Sequence, residues 1–143
     1  MMRSRFQIGL LLISLLACRE QTTQPGLADP YERWRSLNLH NYTIDQVRSC
    51  FCPDGGQVVR LTVRSDTIAL VMRLSDNSEV PYPKSTFYLT VDSLFSIIRN
   101  PKSDSLVVEY NAEYGYPERL DINPQLHPVD GGALYQTSNL RIL

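Results

Sequence analysis

The sequence predicts an α+β fold, in which an antiparallel sheet of five to seven strands carries two short helices packed on one face. Helix-start signals occur at Asp29 and Thr90. Several other segments alternate apolar and polar residues with the period of two that is typical of half-buried strands. Short links join these elements in the order helix, strands, helix, strands, which favours helices lying on an antiparallel sheet.

The first helix is predicted by an N-terminal capping pattern. Asp29 is followed by proline at the first helical position and by Glu32, and the helix should run from Pro30 to about Leu39. Three strands are expected after it, over residues 41–51, 59–64 and 67–74.

The first predicted strand changes its hydrophobic parity. Tyr42 and Ile44 lie on one face, whereas Val47 and Phe51 fall on the other. Either both faces of the strand are covered, or a bulge near residues 45–46 shifts the register.

The second half repeats the order of a helix followed by strands. Thr90 should cap a one-sided helix over residues 91–99. Strands are expected over residues 105–112, 118–123 and 134–143, with a loop over 123–132. The repeated order is consistent with two helix-hairpin units that arose by duplication, or with two turns that use proline in the same way.

The N-terminus predicts a bacterial lipoprotein. Residues 1–17 combine Arg3 and Arg5 with a ten-residue apolar run, which is too short to span a bilayer and typical of a secretion signal. The segment ends in Leu-Leu-Ala-Cys, which resembles the lipobox whose cysteine, here Cys18, receives diacylglycerol. The alternative is an ordinary signal peptide with a chance cysteine. Arg19 after the lipidated cysteine indicates the outer membrane, with the protein facing the periplasm.

Processing at Cys18 would leave a lipidated tether over residues 18–28 and one domain over residues 29–143. The mature chain would have 126 residues, enough for a single core, and a net charge of −3. Because nucleic-acid binding depends on neutralising phosphates with Lys and Arg, this composition argues against a nucleic-acid partner. The expected partners are the membrane, through the lipid, and another envelope protein.

A series of motifs runs in order through the domain: Tyr31 and Trp34, Tyr42, Ser49-Cys50-Phe51-Cys52-Pro53, Leu61 and Val63, Leu94-Phe95, Val108-Glu109-Tyr110, Tyr114-Gly115-Tyr116-Pro117, Ile122 and Asp130-Gly131-Gly132. In these residues the chain resembles a family of bacterial lipoproteins of unknown function. Residues 111–113 lack the Asp that such proteins tend to carry near this turn, and Asn123 stands where Asp is usual. The resemblance implies an envelope location and a shared fold, and it implies no activity.

Cys50 and Cys52 are the candidate reactive residues. In an extended strand their Cα atoms would be about 6.6 Å apart, longer than the usual disulfide distance of about 5.5–6 Å, so bonding requires a bend. The pair could be a structural disulfide, a redox site or part of a metal site. Phe51 is expected to be buried, with both sulfurs on the opposite face.

A metal site at these thiols would need further ligands, and His40 and His127 are the only histidines. Nothing in their spacing brings them to the thiols. Asp121, Asn123 and Asp130 offer oxygen ligands without the loop pattern of a calcium site. No cofactor or resident metal is therefore predicted.

Four tyrosines of the second half, Tyr110, Tyr114, Tyr116 and Tyr135, are candidates for partner binding, because tyrosine combines a large contact area with one polar group. They could equally cover the sheet. No Ser-His-Asp set or glycine-rich phosphate loop is recognisable. The expected function is therefore a non-catalytic binding or scaffold lipoprotein, with thiol-redox or metal handling through Cys50 and Cys52 as the alternative.

Overall fold

The computed structural model describes residues 29–52, 55–102, 104–129 and 131–143, without the side chains of residues 128 and 129. The predicted signal peptide, the tether and Cys18 lie outside these residues. Two α-helices are present, α1 (Pro30–Ser36) and α2 (Val91–Arg99), with short 3-10 helices at Lys84–Phe87 and Pro124–Val129. The strands are β1 (Tyr42–Ser49), β2 (Val58–Arg64), β3 (Thr67–Arg73), β4 (Leu106–Tyr110), β5 (Pro117–Ile122) and β6 (Ala133–Ile142).

All six strands form one antiparallel sheet in the order β3-β2-β1-β6-β5-β4. This number lies within the predicted range of five to seven. The register between β1 and β6 shifts between Thr43 and Asp45, but the extra residue belongs to β6, because two steps along β1 face three steps from Arg141 to Ser138. β1 pairs with β2 without a shift, so the predicted bulge in the first strand is wrong. The neighbours Asp45 and Gln46 point to opposite faces of β1 and are both buried, which fits the alternative that both faces of this strand are covered.

Local signals determine where both helices begin. The Asp29 side chain accepts a hydrogen bond from the backbone N–H of Tyr31, and Thr90 accepts one from Ser93. The predicted bounds of α2 are confirmed. The first helix ends earlier than predicted, at Ser36, because Asn38 takes a left-handed backbone conformation (φ 49°) that a right-handed helix excludes.

Both helices contact the same apolar face of the sheet. Trp34 of α1 and Val91 and Phe95 of α2 share a buried cluster with apolar residues of the first two strands. The Tyr42 hydroxyl accepts a hydrogen bond of 3.2 Å from the backbone N–H of Val91. Burial raises the pKa of this phenol, so it stays protonated.

A buried amide also fixes α2 on β1. The Gln46 side chain accepts a hydrogen bond from the backbone N–H of Leu89 at 2.9 Å and donates one to its carbonyl at 3.0 Å. Both backbone groups of Leu89 are thus satisfied by a residue 43 positions earlier in the chain. This pair positions the start of α2 over the centre of the sheet.

The prediction of a fold that could divide into two helix-hairpin units is wrong, because each helix also packs against the other half of the chain. Arg33 of α1 donates a hydrogen bond to the carbonyl of Ala112, and Trp34 packs edge-on against the ring of Tyr116. The start of α2 is bonded to β1 through Tyr42 and Gln46. A helix and its own hairpin therefore do not form a separate unit.

The face of the sheet away from the helices is polar at its centre. Asp45 is buried, and Arg60 on the neighbouring strand donates to its two oxygens at 2.7 and 2.9 Å. Asn139 of β6 donates a third hydrogen bond at 3.0 Å. Burial opposes ionisation of this carboxyl, but the bonds from Arg60 and Asn139 outweigh it and lower its pKa. Asp45 therefore joins three strands as a carboxylate.

Among the described residues, no helix has both the length and the apolar composition needed to cross a bilayer.

The turn between β4 and β5 approaches α1 so closely that a side chain at Gly115 would collide with it. A Cβ at this position would lie 2.4 Å from the Pro30 carbonyl oxygen, and the residue has φ +81°. Gly56 has nearly the same φ, +82°, but nothing lies within 4 Å of the position of its Cβ. A side chain would strain the backbone at both positions, but it would collide with another part of the chain only at Gly115. Comparing the two positions therefore separates the cost of backbone strain from the cost of collision.

We predict that Gly115→Ala lowers the free energy of unfolding by about 2–4 kcal/mol, since the cost of a left-handed backbone adds to that of overpacking. The matched variant Gly56→Ala should cost only about 1–2 kcal/mol. Urea unfolding of both variants measures the difference. Equal losses would show that α1 does not press on this turn.

Candidate functional site

The end of β1 leads into a turn closed by a disulfide between Cys50 and Cys52. We call the described residues 50–52, 55 and 56 the disulfide turn; Pro53 and Asp54 lie outside the described residues. The backbone N–H of Gly56 donates to the Arg48 carbonyl at 2.8 Å. The chain bends at residues 50–52, and the two cysteine Cα atoms are 5.2 Å apart, closer than an extended strand would allow.

Phe51 lies at the outside of the disulfide turn with 81% of its surface exposed. The prediction that it is buried is wrong, because it assumed that strand alternation continues through the cysteines. β1 ends at Ser49, and the bend after it directs the ring into solvent. A large aromatic side chain is therefore displayed by a covalently closed turn.

On the helix-covered side of the disulfide turn, an arginine side chain contacts the sulfur of Cys52. The Arg48 guanidinium donates to Cys52 Sγ at 3.4 Å and lies over the rings of Phe87 and Tyr135 at 5.0 and 6.0 Å. Its Nε is buried without an acceptor among the described residues. A cavity of about 10 Å³ adjoins them, lined by Arg48, Cys52, Gln57, Arg73, Lys84 and Phe87 among others.

The opposite side of the disulfide turn borders a larger and more open space. Ser49 follows Arg48 in β1 and therefore points to the other face of the sheet. The cavity there has a volume of about 300 Å³ and is lined by Ser49, Cys50, Phe51, His127, Gly132 and Leu134. The two cysteines thus line different cavities, although they are bonded to each other.

His127 is positioned at this open cavity by a buried carboxylate. Its Nε2 lies 3.0 Å from Oδ1 of Asp121, close enough for an ion pair but not aligned as a hydrogen bond. Arg119 donates to the other carboxylate oxygen at 2.6 Å. Gly132 leaves room for the ring, since a Cβ there would lie 2.2 Å from His127 Cδ2.

The other histidine lies elsewhere. His40 contacts the carboxylate of Asp66 at 2.9 Å and borders a separate cavity with Trp34 and Asp92. The structure therefore brings one of the two histidines, His127, to the cavity that Cys50 also lines. Within the described ranges, no group of three or more His, Cys, Asp or Glu side chains is arranged to hold a metal ion.

Of the carboxylates considered for a calcium site, Asp121 is paired with Arg119 and His127, while the Asn123 side chain bonds Ser105 and Asp104. Asp130 lies outside the described residues.

The tyrosine candidates are distributed over two regions of the core. Tyr116 is buried under Trp34, Tyr114 stacks on Tyr116, and Tyr110 stacks on Phe95. Tyr135 is buried in a second cluster with Leu94 and Leu120. Their role in partner binding stays a prediction.

Burial is the main cause of a raised pKa at Tyr110 and Tyr116, and a hydrogen bond with Glu113 is the main cause at Tyr114. All three therefore remain neutral hydroxyls at physiological pH.

Two residues of the site were missed by reasoning from the sequence. Arg48 lies four positions before Cys52 in a strand, and only the bend of the turn brings its guanidinium back to the sulfur. His127 is 77 residues from Cys50, and the 3-10 helix that carries it was predicted as loop. The only local signal for these two residues was the position of Arg48 itself, a basic residue shortly before the cysteine motif.

The fold and site define an α+β domain built on one antiparallel sheet, with a disulfide turn at the end of its central strand. The chain belongs to a family of unknown function, DUF6174, whose profile matches residues 26–142. No curated protein matches the chain. No solved structure matches it either.

We predict that removing the disulfide costs little stability, because it closes a loop of only three residues and the entropy of loop closure falls with loop length. The double variant Cys50→Ser, Cys52→Ser should lose about 1 kcal/mol in urea unfolding. Wild-type protein treated with reductant should lose the same amount of stability as the double variant. A thiol assay without reductant should find both cysteines oxidised. A loss above about 3 kcal/mol would mean that the bond maintains the fold.

Proposed function

We propose that this protein is a non-catalytic binding module of the bacterial cell envelope, which contacts another protein through the disulfide turn. The observation that carries the proposal is the exposure of Phe51 at the outside of this turn. Leaving a phenylalanine in water forgoes about 2–3 kcal/mol of burial free energy, which a partner that covers the ring would recover.

The turn is suited to binding because its conformation is already restricted. The disulfide joins residues on both sides of Phe51, and the hydrogen bond from Gly56 to Arg48 ties the turn to the strand. Ordering a flexible segment opposes association, so a covalently closed turn binds at a lower entropic cost. The ring of Phe51 is therefore presented as an anchor that needs little rearrangement.

The surroundings of Phe51 have the composition of a binding surface. Phe87 is 45% exposed and stacks under the Arg48 guanidinium, and aromatic residues and arginine are enriched at the centres of protein interfaces. The cavity of about 300 Å³ beside Phe51 includes Leu134 and could accept an apolar side chain of the partner. Polar His127 at its edge offers a hydrogen bond.

The proposal includes a lipid anchor at Cys18 in the outer membrane, with the domain facing the periplasm. It is supported by the apolar run that ends at this cysteine and by Arg19 after it. Two or three acyl chains, at about 0.8 kcal/mol per buried CH₂, would hold the protein firmly. The eleven residues 18–28 can span at most roughly 40 Å, which would keep the binding surface near the membrane.

Thiol-disulfide exchange through Cys50 and Cys52 is the second candidate function. It is favoured by the position of the bond between two cavities, with a guanidinium at one sulfur and a histidine at the cavity of the other. The Arg48 guanidinium lies 3.4 Å from Cys52 Sγ. Metal handling, the other part of this alternative, would require reduction of the pair.

We predict that Phe51→Ser abolishes capture of the partner, because it removes the exposed anchor. The matched control is Tyr82→Ser, which removes an aromatic ring of similar exposure, 83%, that lines neither cavity of the disulfide turn. Cross-linking in intact cells followed by purification should give the same partner for wild type and the control. Loss with both variants, or with neither, would contradict a specific role for Phe51.

We predict that Cys18→Ser moves the protein from the membrane to the soluble fraction, because acylation requires the thiol. Cell fractionation and the mobility shift caused by the lipid measure the change. Cys50→Ser is the control and should remain in the membrane. If Cys18→Ser stays in the membrane with unchanged mobility, the lipid anchor is contradicted. The binding surface at Phe51 is tested independently by the Phe51→Ser variant.

A further inference from the structure

The two sulfurs of the disulfide turn lie in chemically different surroundings. Cys50 borders the open cavity that contains His127, whereas Cys52 borders the small cavity of about 10 Å³ that contains Arg48. An incoming thiol would approach through the larger space, because about 10 Å³ is hardly enough for one water molecule. The two ends of the bond therefore differ in access.

The sulfurs also differ in how a negative charge on them would be stabilised. Arg48 Nη1 lies 3.4 Å from Cys52 Sγ, and no carboxylate of the described residues pairs with this guanidinium. Arg73 and Lys84 line the same cavity. Positive charge beside a cysteine favours its thiolate, and a thiol that ionises easily is the better leaving group in disulfide exchange.

A proton acceptor is available on the Cys50 side. His127 lines the cavity on that side, and its Nε2 lies 3.0 Å from the carboxylate of Asp121. An incoming thiol in this cavity could lose its proton to His127 or to water before it reacts.

We propose that disulfide exchange at this turn is directional, with attack at Cys50 and departure of Cys52. This inference rests on the second candidate function. The incoming thiolate forms a new S–S bond with Cys50 Sγ while the Cys50–Cys52 bond breaks, and the electron pair of that bond stays on Cys52 Sγ as a thiolate beside Arg48. The incoming thiol is oxidised to a mixed disulfide, and Cys52 is reduced.

A second thiol, or the second sulfur of a dithiol, would then attack the mixed disulfide at the sulfur of the incoming group. Cys50 leaves as a thiol after protonation, and the protein is fully reduced. The co-reactant is therefore a thiol of low molecular weight or a protein dithiol, and each exchange transfers two electrons overall.

The direction can be measured on the full chain carrying Cys18→Ser, so that Cys50 and Cys52 are its only cysteines. The oxidised protein is treated briefly with glutathione, quenched in acid, alkylated with N-ethylmaleimide and mapped by peptide mass spectrometry. We expect glutathione on Cys50 and the alkyl group on Cys52 in at least about ten molecules for each one of the reverse pattern.

The outcomes separate the direction from the function. If the mixed disulfides form equally on Cys50 and Cys52, or mainly on Cys52, the proposed direction is overturned, while thiol-disulfide exchange stands as a function. No mixed disulfide with glutathione, and none with dithiothreitol or a thioredoxin-type dithiol at matched potential, would overturn exchange and the direction with it.

The role of Arg48 has its own test in two single-cysteine variants. With Cys50→Ser, the remaining Cys52 thiol should react with iodoacetamide at lower pH than the remaining Cys50 thiol does with Cys52→Ser, because only Cys52 lies beside the guanidinium. Equal pH profiles would contradict the assignment.

Charge at position 48 supplies a further comparison. Arg48→Gln should slow glutathione attack by about tenfold, and Arg48→Lys should retain much of the wild-type rate, since it keeps the positive charge. Arg64→Gln, an exposed arginine on the neighbouring strand, is the matched control and should react as wild type. Circular dichroism confirms folding of each variant. Equal rates for all three variants would overturn the role of Arg48.

Discussion

The pairing of β1 with β6 is the contact on which the rest of the molecule depends. It joins the two three-stranded halves of the sheet, β3-β2-β1 and β6-β5-β4, and every other strand is attached through one of these two. On the helix side, Gln46 of β1 satisfies both backbone groups of Leu89. On the opposite side, Asp45 receives hydrogen bonds from β2 and β6. Polar side chains on both faces of β1 thus fix the register of this strand, and the apolar core packs on the sheet in that register.

The same strand connects the core to the candidate site. β1 ends with Arg48 and Ser49, whose side chains point to opposite faces, and the disulfide turn begins immediately afterwards. Each sulfur therefore acquires the surroundings of a different face of the sheet, packed and basic at Cys52, open and containing histidine at Cys50. Phe51 stands between them, exposed. A partner that covers this ring would also cover the open cavity, so binding and thiol exchange at this turn would influence each other.

The parts of the structure that could be predicted from sequence are those determined by neighbours along the chain. Asp29 and Thr90 fix the starts of both helices through bonds to residues two or three positions away, and strand alternation in β2 needs no distant partner. The helix-hairpin prediction failed because Trp34 and Gln46 select partners from the other half of the chain. Phe51 was misplaced because a bend ends the alternation. Arg48 and His127 reach the cysteines only through the turn and the sheet.

The position of β6 has a consequence for how the protein acquires its structure. This strand, the last of the six described strands, lies in the interior of the sheet between β1 and β5, with about 90 residues separating it from its partner β1. The central pairing cannot form until residues 133–142 have been synthesised, so the nascent chain lacks the strand that would join its halves. Contacts of such long sequence separation also slow folding, because loop closure must precede them. We therefore expect the β1–β6 pairing to be a late contact in folding.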